Sequence, residues 1–174
     1  MAALVIGAAA LAAVLFFSRP HRADIASSVF NDSARIASGR LPLELRSDSP
    51  QTISRFFGER RIGFPAPAEL LEIPGWQLAG ARVHTVAGRP SALSLYRNSG
   101  NRMIVCQMYK GPVAELPPGA EIVRSGGATL YLFRSSSRTA VFWQDGPIVC
   151  ALVSEIAEEE ILRIAFAKTV KAQT

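Results

Sequence analysis

Histidine and cysteine are scarce in this chain of 174 residues, and their scarcity excludes several kinds of chemistry. There are two histidines, His21 and His84, and two cysteines, Cys106 and Cys150. Because no Cys-x-x-Cys pair and no Cys/His ligand spacing occurs, the sequence predicts no metal site. The chain also lacks the P-loop, G-x-G-x-x-G, G-x-S-x-G and H-E-x-x-H motifs. We therefore predict no cofactor, no small-molecule substrate and no catalytic residue, which indicates a protein that is not an enzyme.

The spacing of the carboxylates predicts no acid–base pair. The four aspartates fall in the stretch before residue 40, before a helix cap or in a hairpin turn; they are Asp24, Asp32, Asp48 and Asp145. None of them has a histidine or carboxylate partner at a suggestive spacing. Glu158, Glu159 and Glu160 are consecutive in a predicted helix, where neighbouring side chains diverge. We interpret these glutamates as a solvated helix face, and His84 as a structural residue of a strand.

Charged residues make up only 19% of the chain, and its net charge is +5. The basic residues are almost all arginines. They are scattered and do not form the stripe with interleaved aromatics that is typical of nucleic-acid binding, so we predict no nucleic-acid partner. The nearest cluster comprises Arg55, Phe56, Phe57, Arg60 and Arg61. We interpret it as a basic face on a short helix, and contact with anionic lipid headgroups is the functional alternative.

One long uncharged run opens the chain, from Ala2 to Phe17, and Arg19, Pro20, His21 and Arg22 follow it. At 1.5 Å per residue, a helix over this run is about 24 Å long, slightly shorter than the hydrocarbon core of a bilayer. A cleaved signal peptide would carry positive charge before the run and small residues after it. A buried helix of a soluble domain is the other alternative. We predict an uncleaved transmembrane anchor over residues 1–22, surrounded by membrane lipid.

Small residues dominate this run and recur four positions apart. The pairs with this spacing are Ala3 with Gly7, Ala8 with Ala12, and Ala9 with Ala13. Small residues let helix backbones approach closely in lipid, where packing replaces the hydrophobic effect. The pattern predicts a helix that packs against other subunits of an integral membrane complex. An alanine-rich composition without such a role is the alternative.

The rest of the chain has the pattern of one compact α+β domain. Residues 23–40 predict a linker that leads into a short helix, and residues 41–174 predict the domain itself. Leucines at positions 41, 43 and 45 indicate a half-buried strand, and Ser49-Pro50 indicates the start of a helix. From Trp76 onward, strands alternate with turns. A last helix follows Ser154 as its N-cap. The predicted fold class is α+β, with a single N-terminal transmembrane helix and an antiparallel sheet packed by two or three helices.

The two cysteines lie in apolar strands, Cys106 in Arg102–Tyr109 and Cys150 in Pro147–Val153. The second of these strands is apolar on both faces, which is typical of a central strand or of one covered by a helix. Both cysteines are interpreted as buried thiols. They would pair as a disulfide if the two strands were neighbours and the compartment oxidising. The sequence leaves both alternatives open.

Three stretches resemble the extracytoplasmic domain of bacterial transmembrane anti-sigma factors. They are LPLELRSDSPQTISRFFGERRIGFPAP, GWQLAGARVHTVAGRPSALSLYR and VFWQDGPIVCALVSEIAEEEILRIA. The similarity covers residues 30–170. Its most specific features are the start of a helix near Ser47 and Asp48, the hairpin of residues 75–97 and the W-x-D-G strand that leads to the last helix. The resemblance implies an extracytoplasmic domain, and it specifies a fold better than an activity.

The sequence departs from this family at its N-terminus. Such anti-sigma factors usually carry a zinc-binding domain, with a histidine and a C-x-x-C pair, before the membrane helix, and no such motif precedes Ala2. The arginines after the apolar run favour a cytoplasmic domain by the positive-inside rule, whereas the resemblance favours a periplasmic one. Because the arginines of a folded domain are weak evidence of topology, we follow the resemblance.

Together these patterns predict a single-pass protein of the inner membrane with a periplasmic domain. We expect it to act without catalysis, as an accessory or scaffold subunit of a larger membrane protein complex. An anti-sigma-like sensor that lacks its cytoplasmic module is the alternative function. An enzyme with an unrecognised site is the third hypothesis.

Overall fold

The computed structural model describes residues 24–171. Three α-helices, seven β-strands and two short 3₁₀ turns make up this part of the chain. The helices are α1 (Ile25–Ala37), α2 (Pro50–Glu59) and α3 (Glu158–Lys171). The strands are β1 (Gln77–Val86), β2 (Arg89–Arg97), β3 (Met103–Lys110), β4 (Glu121–Ser125), β5 (Ala128–Arg134), β6 (Thr139–Asp145) and β7 (Ile148–Ser154). The 3₁₀ turns are Ala68–Leu71 and Val113–Glu115.

The predicted transmembrane helix has no counterpart in the part of the chain that the structure describes. Within residues 24–171, no helix is both long enough and apolar enough to cross a bilayer. The longest, α3, has 14 residues, whereas a span needs about 20 apolar residues. This finding contradicts the predicted single-pass topology, and with it the predicted place in the inner membrane with a periplasmic domain.

The uncharged run on which that prediction rests, Ala2–Phe17, lies outside the described residues. The small residues expected to pack against other membrane helices lie in the same part of the chain; they are Ala3, Gly7, Ala8, Ala9, Ala12 and Ala13. The helix packing predicted for them therefore has no counterpart in the part of the chain that the structure describes.

Two helices begin where their N-cap side chains dictate. At the start of α1, Asp24 Oδ1 accepts hydrogen bonds from the backbone N–H groups of Ala26 (3.0 Å) and Ser27 (3.3 Å). At the start of α2, Ser49 Oγ accepts one from Thr52 N (3.3 Å), and a proline follows in the first turn. Each cap satisfies backbone donors that have no partner within their own helix.

The third helix begins later than predicted, because Ser154 is not its N-cap. Ser154 ends β7, where its hydroxyl donates to the carbonyl of Met103 (2.5 Å) and accepts from Ile156 N (3.2 Å). The chain then turns, and α3 begins at Glu158. The serine therefore joins β7 to β3, and the glutamates of the first turn complement the positive end of the helix dipole.

Residues 41–45 do not form the predicted strand. Only Leu45 pairs with a strand, through a single antiparallel bridge to Ala81. Ala81 lies in the middle of β1, which is an edge strand of the sheet. Gly80, with a φ of 146°, permits this close approach, since a Cβ atom there would clash with the carbonyl oxygen of Leu45. The β1 strand also has a register shift between Leu78 and Gly80. A bulge of this kind bends the strand and disrupts its ladder. The segment makes one ladder pair with β1, and Arg82 of that strand adds a hydrogen bond to the carbonyl of Pro42 and an ion pair with Glu44.

The seven strands form one antiparallel sheet in the order β1-β2-β3-β7-β6-β5-β4. Strands β1 to β3 form one meander and β4 to β7 a second. The two meanders join through the pairing of β3 with β7, in which Gln107 lies opposite Ala151. The connection between β3 and β4 spans residues 111–120 and runs from the centre of the sheet to its edge. The domain is thus an α+β fold with a seven-stranded antiparallel sheet and three helices.

Helices cover both faces of the sheet. On one face, α1 packs over a core that includes Val29, Phe142 and Val153. On the other, α2 and α3 pack over a core that includes Phe57 and Leu152. Because side chains alternate between faces along a strand, neighbouring residues of β7 contribute to different cores. All seven residues of β7 are buried, as its pattern of apolar residues on both faces predicts.

Candidate functional site

A group of polar side chains lies between α1 and the sheet, and we name it the Asp32 cluster. Its members are Asp32 on α1, His84 on β1, Ser91 on β2 and Gln107 on β3. Asp32 is 3% exposed, and Ser91 and Gln107 are fully buried. The His84 side chain is 21% exposed. The cluster is thus a polar site within a largely apolar interface between helix and sheet.

The carboxylate of Asp32 is the centre of this cluster. Gln107 Nε2 donates to Asp32 Oδ2 (3.1 Å) and to Ser91 Oγ (3.0 Å). His84 Nε2 is 3.2 Å from Asp32 Oδ1, and Arg35 Nη1 is 3.6 Å from the same oxygen. Nitrogen groups therefore surround the buried carboxylate and offset the cost of removing its charge from water.

Strand alternation explains why these side chains meet. His84 and Ser91 are directly opposite each other in the β1–β2 ladder, and the β2–β3 ladder places Gln107 diagonally from Ser91. Side chains opposite each other or two residues apart lie on the same face of a sheet, so all three face α1. On α1, Asp32 lies one helical turn from Val29 and shares its buried side. The helix and three strands thus bring the cluster together.

Serine, histidine and aspartate are the residue types of a hydrolase triad, but this arrangement does not form one. A triad needs a nucleophilic hydroxyl that is hydrogen-bonded to the histidine and open to substrate. Ser91 is fully buried, and its hydroxyl accepts from Gln107. Among residues 24–171, no hydrogen bond joins Ser91 to His84. The geometry fits a polar clamp that fixes α1 on the sheet.

Asp32 contacts a histidine that is far from it in the sequence. No histidine lies at a suggestive sequence spacing from this aspartate, but α1 folds back onto the sheet and brings Asp32 to His84. A signal for this contact exists in the sequence. Asp32 lies in the apolar stripe of α1, between Val29 and Ile36, where an unpaired carboxylate would be costly. Ser91 and Gln107, by contrast, carry no signal of their own in the sequence.

Cys106 and Cys150 are both free thiols in the core. Their strands are neighbours, but Cys106 lies opposite Leu152 and Cys150 lies opposite Met108. The two cysteines therefore share a face of the sheet with an offset of two residues. Burial raises the pKa of both thiols, and their proximity adds to the rise at Cys150. The structure has the buried thiols of the first interpretation and not the disulfide.

The basic cluster around α2 divides between core and surface. Phe57 is fully buried, whereas Phe56 is only partly buried. Arg60 Cζ lies 5.0 Å from the centre of the Phe56 ring, and Arg60 Nη1 is 3.3 Å from Glu44 Oε2. A cation–π contact and an ion pair therefore hold this arginine. The other two arginines of the cluster are not buried.

The glutamates at the start of α3 connect the helix to the sheet. Glu158 accepts from Arg134 Nε (2.6 Å) and Nη2 (2.7 Å), and Arg134 Nη1 also donates to Glu121 Oε2 (2.8 Å). The hydrogen bonds from Arg134 lower the pKa of the Glu158 carboxyl. Glu160 Oε2 is 3.2 Å from Arg102 Nη2. The predicted solvated face thus carries specific ion pairs at two of its three positions.

A second candidate site is the edge of the sheet at β4. This strand pairs with β5 on one side, and within the described part of the chain no strand pairs with its other side. Ile122 in β4 is 46% exposed, more than any other large hydrophobic side chain of residues 24–171. Tyr131, opposite it on β5, is partly buried. We name the free edge with Ile122, Arg124 and Tyr131 the β4 surface.

Comparisons with known proteins find no relative. No protein-family model, no curated protein and no solved structure matches the chain. The resemblance to anti-sigma factors therefore stays a prediction, and so does a role as an accessory subunit of a larger complex.

Proposed function

We propose that this domain is a protein-binding module whose β4 surface takes up an extended segment of another protein as an additional strand. One observation carries the proposal: Ile122, an exposed apolar side chain, lies on a strand whose outer edge has no partner in the described chain. In strand addition, main-chain hydrogen bonds supply the affinity and alternate side chains supply the specificity.

The two edges of the sheet differ in their backbone hydrogen bonds. β4 pairs with β5 over its whole length, from Glu121 to Ser125, and its remaining N–H and C=O groups point outward. At the opposite edge, Ala81 N donates to Leu45 O (2.8 Å) and Ala81 O accepts from Leu45 N (3.0 Å). The chain therefore covers the middle of the β1 edge with its own backbone. This contrast favours β4 as the edge that pairs with a partner.

The side chains of β4 indicate the chemistry of that partner. Arg124 lies two residues after Ile122 on the same face, and it is exposed with no ion pair among the described residues. On the other face, Glu121 pairs with Arg134 (2.8 Å), which also binds Glu158. The whole chain carries a net charge of +5. These features fit a partner segment with an apolar residue and an acidic residue two positions apart.

The test uses the full ¹⁵N-labelled chain and a seven-residue blocked peptide in which the second, fourth and sixth residues are isoleucine, glutamate and isoleucine and the other four are threonine, so that the apolar and acidic side chains lie two positions apart on one face. We expect the largest amide shift changes at residues 121–125, because new backbone hydrogen bonds form there. The matched control is the same peptide with lysine in place of glutamate. It should bind about tenfold more weakly, since its charge repels Arg124.

Two variants test whether Arg124 selects the peptide. Arg124→Glu should reverse the preference between the two peptides. Arg163→Glu changes an exposed arginine of α3, which packs on the face of the sheet opposite to that of Ile122 and Arg124, and should preserve the preference. Shift changes confined to other strands, or none at millimolar peptide, would overturn the proposal. So would concentration-dependent broadening of the β4 amides without peptide, because it would assign this edge to a second copy of the chain.

A further inference from the structure

A cavity of about 310 Å³ lies at one end of the sheet, between the C-terminal half of α1 and the chain that follows β7. This volume is near the lower limit of known small-molecule sites. The polar side chains of its lining are those of Ser33, Asn101, Arg102, Arg138, Ser154 and Glu155. None of them belongs to the Asp32 cluster or to the β4 surface, so the cavity is a separate site.

Ser33 is the buried polar residue of this cavity. It is 1% exposed as a residue, but its hydroxyl is not one of the buried polar atoms that lack a partner, which in the described chain are Arg82 Nε, Ser94 Oγ, Gln107 Oε1 and Tyr109 OH. Since Ser33 lines the cavity, its hydroxyl is placed to donate to an oxygen acceptor of a ligand there.

Two guanidinium groups flank the cavity, and a glutamate holds each of them. Arg138 Nη2 is 2.5 Å from Glu155 Oε1, and Arg102 Nη2 is 3.2 Å from Glu160 Oε2. A guanidinium group has five N–H donors in a planar fork. Each ion pair uses one nitrogen, and the Nε and Nη1 groups of both arginines have no partner in the described chain. The glutamates thus hold both guanidinium groups in place, and the remaining N–H donors of these groups can bind a ligand.

The charges at the cavity balance. Its lining includes two arginines and Glu155, and Glu160, which pairs with Arg102, brings the ionised groups there to a net charge of zero. The C-terminal end of α1 is also near, and free carbonyl groups there would repel an anion. However, the carbonyl groups of residues 34–36 accept hydrogen bonds from backbone N–H groups within residues 38–41. These bonds reduce the repulsion, so the attraction for an anion comes from the unused N–H donors of the two arginines.

We propose that this cavity binds the carboxylate or phosphate group of a small molecule, held by the forks of Arg102 and Arg138 and by the hydroxyl of Ser33. Parallel N–H donors of a guanidinium group match two oxygens of a carboxylate or a phosphate. Because the glutamates already fix both arginines, little side-chain freedom is lost on binding. The proposal is independent of peptide binding at β4.

The test titrates the full chain with inorganic phosphate and, separately, with succinate at constant ionic strength. Calorimetry measures binding, and thermal unfolding measures the change in Tm. We expect saturable binding of one equivalent of at least one probe, and the tighter probe identifies the anion class. Ser33→Ala should weaken binding about tenfold, and Arg138→Gln by about 30-fold, because each removes donors to a charged group. Arg163→Gln on α3 is the matched control and should bind as the wild type does.

Several results would overturn the proposal. Binding of neither probe would do so, as would equal rises in Tm with chloride, which would mean an adventitious ion only. Equal affinities for Arg138→Gln and Arg163→Gln would also contradict it. If Arg138→Gln does not fold, Ser33→Ala and Arg102→Gln decide, and unchanged affinity in both would reject the site.

Discussion

His84 on β1 and Asp32 on α1 meet across the interface between helix and sheet, with His84 Nε2 3.2 Å from Asp32 Oδ1. Gln107 binds the other oxygen of the same carboxylate, so one side chain of α1 contacts two strands. In the described part of the chain, α1 is the one α-helix on its face of the sheet. The docking of α1 therefore depends on the Asp32 cluster together with the apolar contacts around Val29.

Replacement of Asp32 by alanine should destabilise the domain. We expect the free energy of unfolding to fall by about 2–4 kcal/mol, because hydrogen bonds to a charged acceptor are lost and the buried amide of Gln107 loses a partner. Asp32→Asn keeps an oxygen acceptor and should lose less. Unfolding in guanidinium chloride, followed by circular dichroism, measures both changes. Asn31→Ala, at the exposed neighbouring position, is the control and should change stability by less than about 0.5 kcal/mol.

Hydrogen exchange can locate this effect. In Asp32→Ala, the amides of α1 should lose protection while those of α3, on the other face, keep theirs. A loss of stability no larger than that of Asn31→Ala would contradict the role of the cluster. Uniform loss of protection in both helices would mean that the clamp acts on the whole domain and not on α1.

Gly80 and Gly58 should respond to alanine with opposite signs. At Gly80 the backbone has a φ of 146°, and an added Cβ would clash with the carbonyl oxygen of Leu45, so Gly80→Ala should cost about 1–3 kcal/mol. At Gly58, in α2, nothing lies within 4 Å of an added Cβ. Gly58→Ala should therefore stabilise the domain by about 0.5–1 kcal/mol through helix propensity. Denaturant unfolding measures both, and a neutral Gly80→Ala would argue against the bridge to β1.

Many elements of this fold can be predicted because their signals are local. The turns Asn98-Ser99-Gly100-Asn101 and Asp145-Gly146 have hairpin sequences, and the structure has antiparallel hairpins at both. The alternating residues of β1 and the Ser49-Pro50 start of α2 also specify elements without reference to distant parts of the chain. In each case the deciding residues are close together in sequence.

The contacts that assemble the candidate sites join residues that are far apart in the chain, and they cannot be predicted from a single sequence. β3 pairs with β7 across about 40 residues, and nothing in either strand selects the other, since both are apolar. Leu45 has the alternation of a strand, but it makes a single bridge to β1, next to a register shift in that strand. For Asp32, the sequence indicates only that a carboxylate in the apolar stripe of α1 needs a polar partner, and it does not indicate which one. Its partners His84 and Gln107 follow from the packing of α1 on the sheet.

The thiols of Cys106 and Cys150 should not react with a thiol reagent such as DTNB in the folded protein. Both are buried free cysteines, and burial raises the pKa of each. Because the thiolate is the reactive form, modification requires the core to open. Unfolding the protein in guanidinium chloride without reductant should release two reactive thiols per chain. Absence of reactive thiols in the unfolded, unreduced protein would contradict this and indicate a disulfide.

Asp145 should lower the stability of the domain as the pH rises from acid to neutral. Burial raises the pKa of this carboxyl, and the nearby charge of Lys168 partly opposes the shift. The folded state therefore holds the proton more tightly than the unfolded state. Its stabilising contribution is fully present below the unfolded pKa and is lost as the pH rises through the folded pKa. Asp145→Asn removes the ionisation, so it should be more stable than the wild type at pH 7, with the difference shrinking toward about pH 3.

A second variant separates this charge effect from the preference of the turn for certain residues. Asn-Gly and Asp-Gly both suit a tight hairpin turn, whereas serine at the first position suits it less. Asp145→Ser should therefore be less stable than Asp145→Asn at every pH, but relative to the wild type both should show the same dependence on pH. Unfolding free energies of the three proteins between pH 3 and pH 7 make the comparison. If the difference between Asp145→Asn and the wild type were constant over that range, the turn preference alone would explain it, and the raised pKa of Asp145 would be excluded as the cause.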